Sequence, residues 1–259
     1  MSGSVTHLRA APEIVFDKVS FQYDAADDLA LSEASFTIPA GHTTAFVGPS
    51  GGGKSTVMKL ILRFYEPASG SISAGGHTLS DLQVEFWRNQ IAVVSQDVYL
   101  FDATVRENIA YGRLDARPDE IMEAARKADA HEFIERLPNK YDTVLGHHGM
   151  RLSGGQQQRI SLARAIIRDP RILILDEATN ALDSISEQWI QDTLDKLREN
   201  RTVIMIAHRL STIERADQII VLDKGHVRES GKLPELVKAG GLFAKLYHLQ
   251  HRPSLVHDA

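Results

Sequence analysis

The sequence predicts an α/β protein with a parallel-sheet core, and three observations lead there. Strand-like and helix-like runs alternate through most of the 259 residues, the pattern of a sheet covered by crossover helices. His42-Thr43-Thr44-Ala45-Phe46-Val47, β-branched and apolar, stops at a glycine-rich loop that opens into a helical period. Ile172–Leu175, Thr202–Ala207 and Gln218–Leu222 are apolar runs with the length and composition of buried strands.

Taken in order, Ile14-Val15-Phe16 and Val19-Ser20-Phe21 alternate about a turn-like Asp17-Lys18, and Ala34-Ser35-Phe36-Thr37-Ile38 runs into Pro39-Ala40-Gly41. These are expected as antiparallel strands flanking the core. After the glycine-rich loop, Val57, Leu60, Ile61 and Phe64 recur at i, i+3, i+4 and i+7, one face of a helix. From Thr104 to Asp169 the texture turns helical. Thr104-Val105-Arg106-Glu107 has the spacing of a capping box, and Pro118 suits a first helical turn. Ile160, Leu162, Ala163, Ile166 and Ile167 give Gly155 to Arg168 a helical period, which Pro170 ends. A further helix is expected around Ser186–Arg198, and His251 to Ala259 reads as a frayed tail. The helical stretch is therefore an insertion into an α/β core.

Composition narrows the chemistry. With no cysteine, disulfides, thiolate catalysis and cysteine metal sites are excluded. A net charge of −5 argues against a nucleic-acid-binding surface. No apolar run reaches the roughly 18 residues of a membrane span. Met1 to Pro12 lacks an apolar central stretch, so no signal peptide is expected.

Gly48-Pro49-Ser50-Gly51-Gly52-Gly53-Lys54-Ser55-Thr56 matches the phosphate-loop pattern between strand and helix. Glycines let successive N–H groups turn inward toward phosphate oxygens, and the helix adds its positive end. Lys54 supplies a cation for the β- and γ-phosphates, and the Ser55 hydroxyl suits Mg²⁺. Ile172-Leu173-Ile174-Leu175-Asp176-Glu177 delivers two carboxylates to a strand tip, where ligands of such sheets bind. Asp176 is expected to hold Mg²⁺ through water, and Glu177 to orient and deprotonate an attacking water. Ser153 in Leu152-Ser153-Gly154-Gly155-Gln156 reads as a helix N-cap. Small residues ahead of a free helix N-terminus form a second anion-reading element.

These strings, in this order, resemble the nucleotide-binding domain of an ABC transporter, from about Glu13 to Gln250. The resemblance implies a P-loop NTPase (RecA-like) core with an antiparallel β subdomain and an inserted α-helical subdomain. It divides the chain into an N-terminal segment (1–12), the ATPase domain (13–250) and a tail (251–259). Within the domain, 13–95 and 171–235 make the core with its β subdomain, 96–170 the helical subdomain and 236–250 a C-terminal helix.

Tyr23 matches the aromatic residue that stacks on adenine. Gln96, in Val94-Ser95-Gln96-Asp97, matches the glutamine that senses Mg²⁺ and water and connects to the transport domain. Asp183, in Ala181-Leu182-Asp183, matches the loop after the catalytic glutamate. His208, in Ala207-His208-Arg209-Leu210-Ser211-Thr212, matches the histidine that contacts the γ-phosphate. Alone, Tyr23 would read as packing, Gln96 as surface and His208 as a structural histidine. Their joint order reverses those readings.

In that family two domains pair head to tail, so Ser153, Gly154, Gly155, Gln156 and Asp183 are expected to serve a partner's nucleotide. Ser95–Ile109 and Gly240–Tyr247 are similar to exporters rather than importers. The implied function is ATP hydrolysis with Mg²⁺, by a homodimer or with a paralogous ATPase domain, driving an exporter's transmembrane domain at the cytoplasmic face. The membrane domain of such exporters usually precedes this one on the same polypeptide, which makes an excised domain, or a separate subunit, the expectation here. The competing reading is a soluble ABC ATPase acting on DNA or ribosomes. It is disfavoured by one cassette, no heptad run and no basic patch. Gly146-His147-His148-Gly149 departs from the exporters' usual Gly-Glu-Arg-Gly, and Asn180 replaces a common serine.

Overall fold

The computed structural model describes residues 3–8, 11–24, 28–95, 97–146, 152–176, 193, 195, 197, 198, 200–207 and 213–251. Its chain forms two compact units, Met1–Trp87 with Thr202–Ala259, and Arg88–Arg201.

In the first unit, β1 (Ile14–Phe21), β2 (Leu31–Ile38), β4 (Ser69–Ala74) and β5 (His77–Thr78) form an antiparallel sheet in the order β2-β1-β4-β5. A second layer runs in the order β10-β9-β3-β8, from β3 (Thr43–Val47), β8 (Thr202–Ile206), β9 (Gln218–Asp223) and β10 (His226–Gly231). β3 is parallel to both β8 and β9, and only the edge strand β10 is antiparallel. Every residue of β3 and β8 is buried, as expected of parallel strands covered on both faces. Phe16 stacks on its cross-strand partner Phe36 at 4.4 Å, and Phe36 meets Phe46 of the second layer edge-on at 5.3 Å.

The turn-like Asp17-Lys18 lies inside one continuous strand. Phe16 pairs with Phe36 and Val19 with Ala34, with a register shift between them, and Lys18 adopts φ 47°. The polar pair is a bulge that keeps both flanks in the ladder. α1 (Lys54–Ile61) buries Val57, Leu60 and Ile61 but ends before Phe64, which is 59% exposed. Arg63 stops it by taking φ 53° and donating from its guanidinium to Leu82 O at 2.7 Å. At the C-terminus α7 (Leu233–Ala239) and α8 (Leu242–His251) are separated by Gly240 at φ 68°. The Glu229 carboxylate accepts from the N–H groups of Leu242 and Phe243, capping α8.

The second unit holds β6 (Ile91–Ser95) parallel to β7 (Ile172–Asp176), paired from Ile91↔Ile172 to Ser95↔Asp176. With them are α3 (Val105–Ala110), α4 (Pro118–Lys127), α5 (His131–Glu135) and α6 (Gly154–Ile167). α2 (Val84–Asn89) falls at the boundary between units. The Thr104 capping box forms as its sequence predicts, with Glu107 N donating to Thr104 Oγ1 at 3.1 Å and Thr104 N to the Glu107 carboxylate at 2.8 Å. The Thr104 hydroxyl, which donates to the same carboxylate at 2.7 Å, and then the Thr104 N–H hold the Glu107 carboxyl below its ordinary range. The helix expected around Ser186–Arg198 falls mostly outside the described residues.

Candidate active site

The phosphate loop leaves the C-terminal end of β3 and enters α1. Two backbone positions there require glycine. Gly48 takes φ 147°, and an added Cβ would sit 1.9 Å from Leu222 O; Gly53 takes φ 107°, with Ala30 O 2.9 Å from the same position. Glycine thus lets the loop lie against the ends of β9 and β2 while curling over α1. No side chain caps α1 and no acidic residue stands in its first turn, so nothing in the helix's own first turn offsets its positive end where it faces the loop.

Lys54 is 6% exposed, and its ammonium donates to Gly48 O at 2.8 Å and Pro49 O at 3.0 Å. These contacts hold the cation across the mouth of the loop. Pro49, Ser50, Gly51 and Ser55 are exposed, while Gly52, Gly53 and Thr56 are buried. Tyr23 lies beside this unit's loop, its hydroxyl sharing a 3.1 Å hydrogen bond with Thr56 Oγ1. β8 ends on the same edge, where Ala207 N donates to Phe46 O at 3.2 Å; His208, the next residue in sequence, lies outside the described residues.

In the second unit, Asp176 ends β7 opposite Ser95, the last residue of β6. Two carboxyl-terminal strand ends therefore stand side by side. Glu177 and Gln96 follow them in sequence, and both lie outside the described residues, as do Asp183, Asn180, His147 and His148. Among the described residues no cluster of three His, Cys, Asp or Glu could hold a metal. Mg²⁺ ordinarily takes one or two protein ligands and completes its shell with phosphate and water; the exposed Ser55 hydroxyl of the first unit and the half-buried strand-end Asp176 carboxylate of the second are each a donor type that this ion accepts.

Ser153 caps α6 as expected. Gln156 N donates to Ser153 Oγ at 3.3 Å and Ser153 N to Gln156 Oε1 at 3.0 Å. Because Oγ accepts in this box, its own proton stays available to donate outward. Gly154 is exposed, and a Cβ added there would meet nothing within 4 Å among the described residues; Gly155 is buried.

Sequence reasoning missed how α6 is fixed. Gln158, 3% exposed, donates to Ser95 O at 3.4 Å. Arg164 donates to Tyr99 O (2.9 Å), Asn108 O (2.9 Å) and Asn108 Oδ1 (3.0 Å) and lies against Phe101 and Tyr111. Burial holds its pKa below the ordinary guanidinium value. Fully buried Asn108 accepts from Phe101 N at 2.9 Å and donates to Phe101 O at 3.1 Å. The chain leaving β6 is thereby bolted to α6. The available signal was Asn108 inside an otherwise apolar helix face, a buried-amide pattern.

Residues 31–180 match the model of the ABC transporter family. The chain is 52% identical over 235 residues to an ATP-dependent lipid A-core flippase of Chromobacterium violaceum, covering 91% of this chain and 40% of that protein. It is 49% identical over 245 residues to ABC transporter B family member 13 of Arabidopsis thaliana, covering 95% of this chain and 20% of that one. It thus spans less than half the length of these relatives. A bacterial Atm1-family ABC exporter with ATP bound superposes with a TM-score of 0.91 at 42% identity, covering 98% of this chain and 44% of that one. The chain belongs to the ABC transporter family, as a nucleotide-binding domain of exporter type with the P-loop NTPase fold.

Proposed function

We propose that this domain binds Mg-ATP and hydrolyses it as one half of a head-to-tail pair, driving export by a transmembrane domain. The family's ATPase domain binds and hydrolyses ATP; the residue roles, the pairing and the coupling are our reading. The observation that carries it is the glycine loop at the β3–α1 junction with the Lys54 ammonium held over its carbonyls.

In this reading Gly48 to Thr56 wrap the phosphates, Lys54 neutralises charge developing on the β–γ bridge, and Tyr23 stacks on adenine. Ser55, Asp176 and Gln96 hold magnesium, which when bound draws charge from the β- and γ-phosphates. Glu177 orients and deprotonates the attacking water, while His208 donates to the γ-phosphate. Gly154 supports the pairing. A Cβ added there would meet nothing among the described residues, which leaves that end of α6 open to an approaching partner. Ser153, Gly154, Gly155, Gln156 and Asp183 would read the partner's nucleotide, on a second copy or a paralogous domain.

The exposed Tyr99 (52%) and Tyr111 (56%), whose rings both meet Phe101, offer an apolar face for the transmembrane domain, at the cytoplasmic side of the membrane. No helix among the described residues is long and apolar enough to cross one. We assign 13–95 with 171–235 to the core, 96–170 to the helical subdomain and 236–250 to the C-terminal helical segment.

The test is ATP turnover by the wild-type chain and by Lys54→Ala. Turnover should fall about 100-fold or more, the scale of losing one preorganised charge contact to the transition state. An undiminished Lys54→Ala rate would overturn the assignment of the loop.

A further inference from the structure

Tyr23 is constrained beyond its hydroxyl. Phe21 and Tyr65 meet its ring edge to face, with centroids at 5.0 and 5.2 Å and interplanar angles of 84° and 89°. They also touch each other at 5.3 Å. Lys59 Nζ lies over the Tyr23 ring, 4.8 Å from its centroid. Lys59 stands one helical turn beyond Thr56 on α1, so one helix face supplies both the hydroxyl partner and the cation. This is not core packing, because Tyr23 is 38% and Tyr65 40% exposed. An exposed aromatic ring has been given a fixed plane at the edge of the phosphate loop.

We propose that Lys59 and Tyr65 are positioning residues for the nucleobase, holding the Tyr23 ring in the plane on which a purine stacks. The inference rests on the reading of this loop as an ATP site. A ring has two faces; Lys59 lies over one, and the base takes the other. The arrangement acts in two ways. Tyr65 and Phe21 remove rotational freedom that Tyr23 would otherwise lose on binding. The Lys59 ammonium is attracted to the ring's electron-rich face and keeps it seated on α1. Neither residue reaches the phosphates in this scheme, so their effect should follow the base.

Dissociation constants of Mg-ATP and of magnesium tripolyphosphate, measured on the full chain, separate the base from the phosphates. The variants are Lys59→Met, Lys59→Arg and Tyr65→Leu. The wild type should prefer ATP. Lys59→Met should weaken ATP about 2–5-fold relative to tripolyphosphate, the size of an exposed cation–ring contact. Lys59→Arg should restore the preference, and Tyr65→Leu should lower it without any change of charge. Equal weakening of both ligands by Lys59→Met would make Lys59 a general phosphate attractor and overturn the proposal. Tighter ATP binding would also overturn it, by showing that these contacts latch Tyr23 over the loop. Lys59 is half-buried on the helix surface, so the methionine and arginine variants decide the matter even where Tyr65→Leu fails to fold. A wild type that binds tripolyphosphate as well as ATP would instead contradict the nucleobase role of Tyr23 itself. One that binds neither would contradict the ATP site.

Discussion

At Gly48 and at Gly154 the same residue type stands for opposite reasons. A side chain at Gly48 would collide with Leu222 O, whereas one at Gly154 would meet nothing among the described residues. Gly154 also opens α6, where alanine is favoured over glycine by up to about 1 kcal/mol. Gly154→Ala is therefore expected to leave the nucleotide-free thermal midpoint unchanged or slightly raised while lowering ATP turnover about tenfold or more. Thermal unfolding without nucleotide and a turnover assay check this; parallel losses in both, or none in either, would contradict it. At this scale the contiguous strings were legible in sequence, because Gly48–Thr56, Leu175-Asp176 and Ser153–Gln156 carry their chemistry in neighbours along the chain. Lys59, Tyr65 and Arg164 were not, since each acts on a residue distant in sequence or one helical turn away. A charged side chain such as Arg164 in a Gln- and Arg-rich helix reads as a solvated face.

Among the elements, α6 depends on tertiary anchors more than on its own period. Its N-terminus is capped by Ser153, and its body is tied through Arg164 to the Tyr99 and Asn108 carbonyls and the Asn108 side chain. Arg164→Met keeps much of the apolar stem but removes the guanidinium donor to the Asn108 and Tyr99 carbonyls, at about 1–3 kcal/mol for each one left unsatisfied, while Asn108 Oδ1 keeps its bond from Phe101 N. A loss of about 2–4 kcal/mol in the urea-unfolding free energy is expected, and a change below about 0.5 kcal/mol would show that water replaces the guanidinium. Strand and helix types followed from local pattern where burial is uniform, as in β3, β7 and β8. Local pattern misled where a backbone break carries the information. Lys18 at φ 47° turns an apparent hairpin corner into a bulge, and Arg63 at φ 53° ends α1 before Phe64 can join its buried face. Ser69–Ala74 and His226–Gly231 escaped as strands because serine, glycine and charged residues dominate them, and only pairing with β1 and β9 makes them so.

For the molecule as a whole, the phosphate loop belongs to one compact unit and the Ser153-capped helix to the other. In the proposed function, two anion-reading elements per chain, one in each unit, make a second copy part of the catalytic cycle. Glu177→Gln separates binding from turnover, since the amide keeps the size of the carboxylate and loses its basicity. The measurement is the solution mass of Glu177→Gln by light scattering, with and without saturating Mg-ATP. We expect no turnover, with the mass rising from the 28.7 kDa of one chain to about twice that only when Mg-ATP is present. A Glu177→Gln chain that binds Mg-ATP yet keeps the mass of a single copy would contradict the head-to-tail mechanism.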